Sequence, residues 1–330
     1  MRRTFAASLL LGCLVAFSGC KKDGSASTAP GEGADGARSS SGLLLRYEAK
    51  PLELRQKSHY EFTISGGGQY GAAKADLVGR LSVEPAGDKL TVRWKVEDVQ
   101  NLELTGVLEP KAEEGEPPPP DVKQVLLEMG KGTFVADLRG ETDAEATKEH
   151  PDVKAENAEV EKLREELEAA RKAAGSKEAA AKDPKVQELE GKLAKHQILG
   201  MFGGVFSLPT LPKESLEVGK EITTESEESV DLPTGTKLPM EVEATYKVVK
   251  IDESSGSRIA ELAVSVEASG AVEFEGGMLV VDQSNESTLF WDLDAHVPVS
   301  VEAESSQSFS VGEQGQEIGT TIQSEYEVVG

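Results

Sequence analysis

The sequence LTVRWKVE, residues 90–97, places an apolar side chain at every second position and a polar or charged one between. Successive side chains of a β-strand point to opposite faces, so this period predicts a strand with one dry and one solvated face. Strands buried on both faces of a parallel sheet are instead apolar throughout. The stretch therefore predicts an antiparallel β-sheet.

Similar alternation recurs on both sides of this stretch, at residues 81–83, 240–248, 260–266 and 318–328. Residues 81–90 and residues 248–259 share one pattern, two alternating runs separated by a turn that contains glycine. Residues 132–138 and residues 287–293 share a second pattern, and both of these stretches end in Asp-Leu. We therefore predict an α+β fold with a large, curved, half-barrel-like antiparallel sheet built from two weakly similar halves. Residues 43–140 and 198–330 are predicted to form this single domain.

A charged helical segment, residues 141–197, separates the two halves. Val153, Val160 and Leu167 recur every seven residues among Glu, Lys, Arg and Ala, which indicates a solvated helix with a narrow apolar seam. Asp183-Pro184 then supplies an N-cap and a first-turn proline for a second helix. We predict an inserted antiparallel hairpin; the alternatives are an intermolecular coiled coil and an insertion without a role.

The segment that follows is mostly apolar, with glycines inside it. We predict a short helix that is buried against the sheet or lines an apolar pocket. The candidate pocket-lining residues are Ile198, Met201, Phe202, Val205 and Phe206.

The N-terminus has the features of a lipoprotein leader, assigned to residues 1–19. Arg2 and Arg3 precede an apolar run that is too short to span a membrane. The sequence AFSGC, ending at Cys20, resembles a bacterial lipobox, apart from Phe17 where an aliphatic residue is usual. The resemblance implies cleavage before Cys20 and its lipidation; a lipobox at Cys13 and an ordinary signal peptide are the alternatives.

Residues 20–42 are rich in Gly, Ser and Ala, and we predict a flexible, lipidated tether. Lys21, rather than Asp, follows the cysteine, which by analogy with lipoprotein sorting favours the outer membrane. The predicted location is the bacterial cell envelope, with the membrane contacted through the anchor at Cys20.

Composition limits the function classes. The chain carries 59 acidic and 35 basic residues, a formal charge of -24, which disfavours nucleic acid as a partner. Both cysteines lie in the first twenty residues, and no two of the four histidines are spaced i, i+4. We therefore predict no metal site, no cofactor and no catalytic residues, although a hydrolase with an unrecognised site is an alternative.

Three further stretches carry a family resemblance: Leu44–Tyr47, Leu216–Lys220 and Leu289–Leu293. With the lipobox, they resemble a domain-of-unknown-function family of bacterial lipoproteins. The resemblance implies a β-rich body and supplies no catalytic residues, and the charged helical segment departs from it.

Among functions, the sequence favours a non-enzymatic, membrane-anchored protein that binds another envelope protein. The alternative is a carrier or sensor of a hydrophobic or lipid ligand, held in a half-barrel cavity of several hundred Å³.

Overall fold

The computed structural model describes residues 42–109, 119–232, 236–254, 256–274, 277–312 and 314–329. The predicted leader, Cys20 and the predicted tether up to residue 41 lie outside these ranges. Cleavage and lipidation at Cys20 therefore stay predictions.

The described residues form one antiparallel sheet of ten strands, which is curved but not closed. Its order is β4-β3-β2-β1-β10-β9-β8-β7-β6-β5. This confirms the predicted fold class. The strands are β1 Leu52–Gly66, β2 Gln69–Ala86, β3 Lys89–Gly106, β4 Lys131–Asp137, β5 Glu221–Asp231, β6 Lys237–Asp252, β7 Ile259–Phe274, β8 Gly277–Asp292, β9 Val297–Val311 and β10 Gln314–Val328.

Strands that follow one another in the chain pair with each other on both sides of a central junction. At that junction β1 pairs with β10, so that Leu54 lies opposite Val328. The sheet is thus two meanders, β1–β4 and β5–β10, joined by the first and last strands.

The two weakly similar halves correspond in part. The matched stretches form the hairpin β2–β3 followed by β4, and the hairpin β6–β7 followed by β8. Asp137 accepts hydrogen bonds from the backbone N–H groups of Arg139 and Glu141, and Asp292 accepts them from Asp294 and Ala295. Each aspartate therefore shapes the turn that ends its strand, although β4 is an edge strand and β8 an interior one.

The helices lie between β3 and β4 and between β4 and β5. They are α1 Val122–Met129, α2 Ala144–Glu149, α3 Pro151–Ala173, α4 Lys177–Lys182 and α5 Pro184–Gly203, with a 3₁₀ turn at Gly204–Phe206. Asp183 caps α5 through hydrogen bonds from the N–H groups of Lys185 and Val186. Helix α2 protects the sheet edge, because Asp143 and Thr147 hydrogen-bond to the backbone of Val135 in β4.

The helical arm, residues 151–193, has a small core of its own. Leu167, Val186 and Leu189 are buried there, and Arg171 bridges to Glu190 across the two helices at 2.7 Å. The apolar segment is not a separate short helix, because α5 runs unbroken from the arm to Gly203. The predicted boundary at residue 197 thus falls inside one helix. Its glycines cost only about 1 kcal/mol each, and burial of Leu199 and Phe202 offsets that cost.

Candidate functional site

A cavity of about 670 Å³ lies on the inner face of the sheet, the face that carries Tyr60, Val264 and Ile322. Side chains of β1 and of β5 to β10 line it from the sheet side. Residues 139–142 and the covering segment, residues 200–210, line it from the other side.

Three buried side chains hold the covering segment by hydrogen bonds to its backbone. Tyr60 Oη donates to the carbonyl oxygen of Met201 at 2.9 Å, and Gln56 Nε2 donates to that of Val205 at 2.7 Å. Tyr47 Oη donates to the carbonyl oxygen of Pro209 at 3.2 Å. Buried donors that depend on these carbonyls make displacement of the segment costly, so the cavity has a fixed wall on this side.

The predicted pocket-lining residues divide between the cavity and the core. Met201 and Val205 line the cavity, and Val205 also belongs to the buried core. Phe202 and Phe206 are buried in the core, with Phe206 stacked on Trp94 at a centroid distance of 5.3 Å, and Ile198 is partly buried against the same core. Helical periodicity explains the division, since residues three or four apart share a face.

The sheet side of the cavity changes from apolar to polar along β8 and β9. Beginning near the covering segment, the successive cross-strand pairs on the inner face are Leu289–Val301, Ser287–Ala303, Asn285–Ser305 and Gln283–Gln307. We call Gln283, Asn285, Ser305 and Gln307 the polar patch. Sequence reasoning missed it, because β8 and β9 carry polar residues on both faces there and the strand period disappears.

Two atoms of the polar patch lack hydrogen-bond partners within the described part of the chain. They are Gln283 Oε1 and Gln307 Nε2, both buried, and Gln307 is only 9% exposed. The two residues lie directly opposite each other, so one cross-strand pair in the cavity wall carries both an unpartnered acceptor and an unpartnered donor. Gln56 Oε1 and Trp291 Nε1 likewise have no hydrogen-bond partner among the described residues, but they do not line the cavity.

Charged residues that line the cavity are more acidic than basic. The acidic ones are Glu141, Glu214 and Glu228, and the basic ones are Arg139 and Lys213. Arg139 is occupied, since its guanidinium pairs with Asp137 at 2.7 Å and with Glu141. The cavity therefore offers a weakly negative environment to an entering molecule.

The outer face of the same strands is strongly acidic. Glu225, Glu243 and Glu267 occupy one cross-strand row, and like charges directly opposite each other destabilise a sheet. A depression of about 1340 Å³ there is lined largely by glutamates and serines, and Gln283 and Gln307 of the polar patch also border it. An apolar molecule would have to desolvate these carboxylates, so the inner cavity suits it better.

His59, also on the outer face, sits between two carboxylates. Its Nδ1 lies 2.6 Å from Asp76 and its Nε2 lies 3.1 Å from Glu61. The hydrogen bonds with Asp76 and then Glu61 raise the pKa of His59, and the bond with His59 lowers the pKa of Asp76. The histidine's contribution to stability is complete below its unfolded pKa of about 6.5 and is lost as the pH rises through the raised value. The contribution of Asp76 to stability is complete above its unfolded pKa of about 3.9 and is lost as the pH falls through the lowered value.

The cavity wall offers both hydrogen-bonding groups and apolar surface. Its described lining contains no histidine or cysteine. Elsewhere in the described ranges, no three His, Cys, Asp or Glu side chains are grouped to hold a metal ion. Burial raises the pKa of the Tyr326 phenol, so this lining residue is held in its neutral form. As far as the chain is described, none of its helices has the length and apolar character needed to cross a bilayer.

Comparison with known proteins gives weak structural likenesses. No protein-family model and no curated protein matches the chain. One similar solved structure, titled "Lipid-protein interactions in lipovitellin", has 15% identity and a TM-score of 0.37, covering 85% of this chain and 25% of that one. An outer membrane channel from Pseudomonas putida F1 has 6% identity and a TM-score of 0.17, covering 89% of this chain and all of that one. The chain thus spans about a quarter of the lipovitellin chain.

Proposed function

We propose that this protein binds a hydrophobic or amphiphilic small molecule in the cavity of the inner face. The observation that carries the proposal is the cavity itself. It measures about 670 Å³, within the range of roughly 300–1,000 Å³ typical of ligand sites. A sheet packed only for stability would fill such a space, because interiors are close-packed.

The lining supports an apolar ligand. Val264, Leu289, Val301 and Ile322 present aliphatic surface beside Met201 of the covering segment. Covering this surface with hydrocarbon gains roughly 25 cal/mol for each Å² removed from water. The cavity thus supplies the driving force that a carrier or sensor of such molecules requires.

The test is binding of the neutral fluorescent probe N-phenylnaphthylamine to the full chain, held in an amphipathic polymer too large to enter the cavity. Replacing Ala303 by Phe puts a ring into the cavity and should abolish probe binding. Ser306→Phe is the matched control, because exposed Ser306 lies on the opposite face of the same strand. Equal binding by both variants would refute the proposal.

We further propose that the protein is a lipoprotein anchored in the cell envelope through Cys20, as the lipobox resemblance implies. Mass spectrometry of the full protein extracted from membranes should detect acyl chains on Cys20. Cys20→Ser should abolish both the acyl mass and the membrane association. An unmodified Cys20 in membrane-extracted protein would contradict this part of the proposal.

Binding of another envelope protein is the second candidate function. The observation that favours it is the outer-face row of Glu225, Glu243 and Glu267, which could steer a basic partner. Crosslinking in native membranes should capture a partner with the wild-type chain and lose it with Glu243→Gln/Glu267→Gln. Capture that is unchanged in the variant would exclude this row as the contact.

A further inference from the structure

We propose that the ligand is a neutral amphiphile whose uncharged head group both donates and accepts hydrogen bonds at the polar patch. This inference rests on the proposed function and names the class of molecule that the cavity takes. The hydrocarbon part of the ligand lies toward the covering segment, and the head group lies against Gln283 and Gln307.

The first argument is the state of the two glutamines. A buried polar group without a partner costs about 1–3 kcal/mol, and Gln283 Oε1 and Gln307 Nε2 are both in that state. Each amide carries donors as well as acceptors. A hydroxyl or amide placed against the pair can therefore accept from one side chain and donate to the other. A purely apolar ligand would leave both atoms unpartnered.

The second argument is charge. The polar patch consists of two primary amides of glutamine, one of asparagine and one hydroxyl, so it offers no cation to a carboxylate or phosphate. Of the two basic lining residues, Arg139 is paired with Asp137 and Glu141. Lys213 is exposed, and the acidic Glu214 is its neighbour in the lining. An anionic head group would lose its hydration without gaining a buried counter-ion.

The third argument is the length and direction of the change from apolar to polar side chains along β8 and β9. Gln307 and Val301 are six residues apart on one strand, which corresponds to roughly 20 Å at about 3.4 Å per residue. Leu289 and Val301 form the apolar part. They lie toward Val205, because Gln56 Nε2 donates to both the Val205 carbonyl and Ser324 Oγ, and Ser324 is directly opposite Val301. Along β8 and β9 the polar patch and the apolar pair are thus separated as the two ends of an amphiphile are, while Ile318 of β10, directly opposite Gln307, adds aliphatic surface beside the patch.

The test compares ligands that share an unbranched saturated chain of the same carbon number and differ in the head group. Monolaurin, methyl laurate, lauric acid and laurylamine compete with N-phenylnaphthylamine for the full chain in the amphipathic polymer. Monolaurin should displace the probe at a concentration at least about tenfold lower than methyl laurate, which accepts but cannot donate hydrogen bonds. Lauric acid should be the weakest competitor.

The variant Gln283→Leu/Gln307→Leu should reduce the affinity for monolaurin about tenfold and that for methyl laurate less, because the ester can only accept a hydrogen bond from the patch. The matched control is Ser284→Leu/Ser306→Leu, the neighbouring cross-strand pair, whose hydroxyls bond to each other at 2.8 Å on the opposite face. The control should retain the preference for monolaurin. The glutamine variant should also unfold at a higher urea concentration without ligand, because it removes unpartnered buried groups.

The outcomes separate the two proposals. If no lauryl compound displaces the probe, or the probe does not bind, the proposed function fails. If all four compete equally, the cavity binds apolar molecules and the head-group inference is wrong. Tightest binding of lauric acid or laurylamine would also overturn it. The wild-type ranking decides these cases even if the glutamine variant does not fold.

Discussion

Replacing Gly79 by alanine should destabilise the protein through one aromatic ring. Gly79 lies in β2 against Phe206, and an added Cβ would lie 2.8 Å from Cδ1 and 3.0 Å from Cζ of that ring, and closer still to Cε1. The ring cannot retreat easily, because Phe206 is only 1% exposed and stacks on Trp94 with an interplanar angle of 13°. Gly79 and Phe206 are therefore complementary in size.

The magnitude follows from packing. Overpacking of a core costs about 1–3 kcal/mol, and Phe206→Ala alone should cost about 3–5 kcal/mol. In the double variant the new methyl group occupies space that the ring vacated. Its cost should therefore fall below the sum of the single costs by about 0.5–3 kcal/mol.

The assay is urea unfolding of the full chain, followed by tryptophan fluorescence. Gly315→Ala is the control in β10, because the nearest atom to its added Cβ lies 3.7 Å away, an ordinary contact. That variant should be neutral or slightly stabilising. The reasoning is refuted if Gly79→Ala behaves like the control, or if the two single costs simply add.

Three further predictions concern the cavity, the arm and the outer face. In a series of n-alcohols, each added methylene should improve displacement of N-phenylnaphthylamine about fourfold until the cavity is full; a flat series would contradict burial of the chain. Leu189→Ala should accelerate hydrogen exchange in residues 163–193 by removing a core side chain of the arm, with the sheet unchanged; a uniform loss of protection would show that the arm and sheet unfold together. His59→Gln should have a lower urea midpoint than wild type at about pH 6, and the difference in midpoint should be smaller at about pH 8. A difference that does not change with pH would exclude ionisation of His59 beside Asp76.

The sheet was predictable where one face is dry and the other wet. In the stretch that opened the sequence analysis, Leu90, Val92 and Val96 are buried and Lys95 is exposed, as alternation requires. Thr91 departs from it because β4 and helix α2 pack around this edge. The start of α5 was equally predictable, since Asp183 caps the helix and Pro184 occupies its first position, and both effects are local.

The polar half of the cavity was not predictable, because its strands are stabilised by their neighbours and not by a local pattern. Residues 282–288 and 304–308 contain almost no apolar side chain and resemble loops in isolation. Their pairing is fixed by register with the apolar ends of the same strands, such as Val281 opposite Phe309. The continuity of α5 was missed for a related reason, since burial of Phe202 outweighs the propensity of the glycines beside it.

The junction of β1 with β10 has a consequence for how the chain matures. The strands that meet there lie near opposite ends of the sequence, whereas every other pairing forms within a hairpin or between consecutive strands. Until the last 15-residue strand arrives, the two meanders each present an open interior edge that another chain can pair with. Loss of β10 by truncation would leave both edges permanently open. Pairing of β10 with both β1 and β9 thus joins the two meanders into one sheet and removes both open edges.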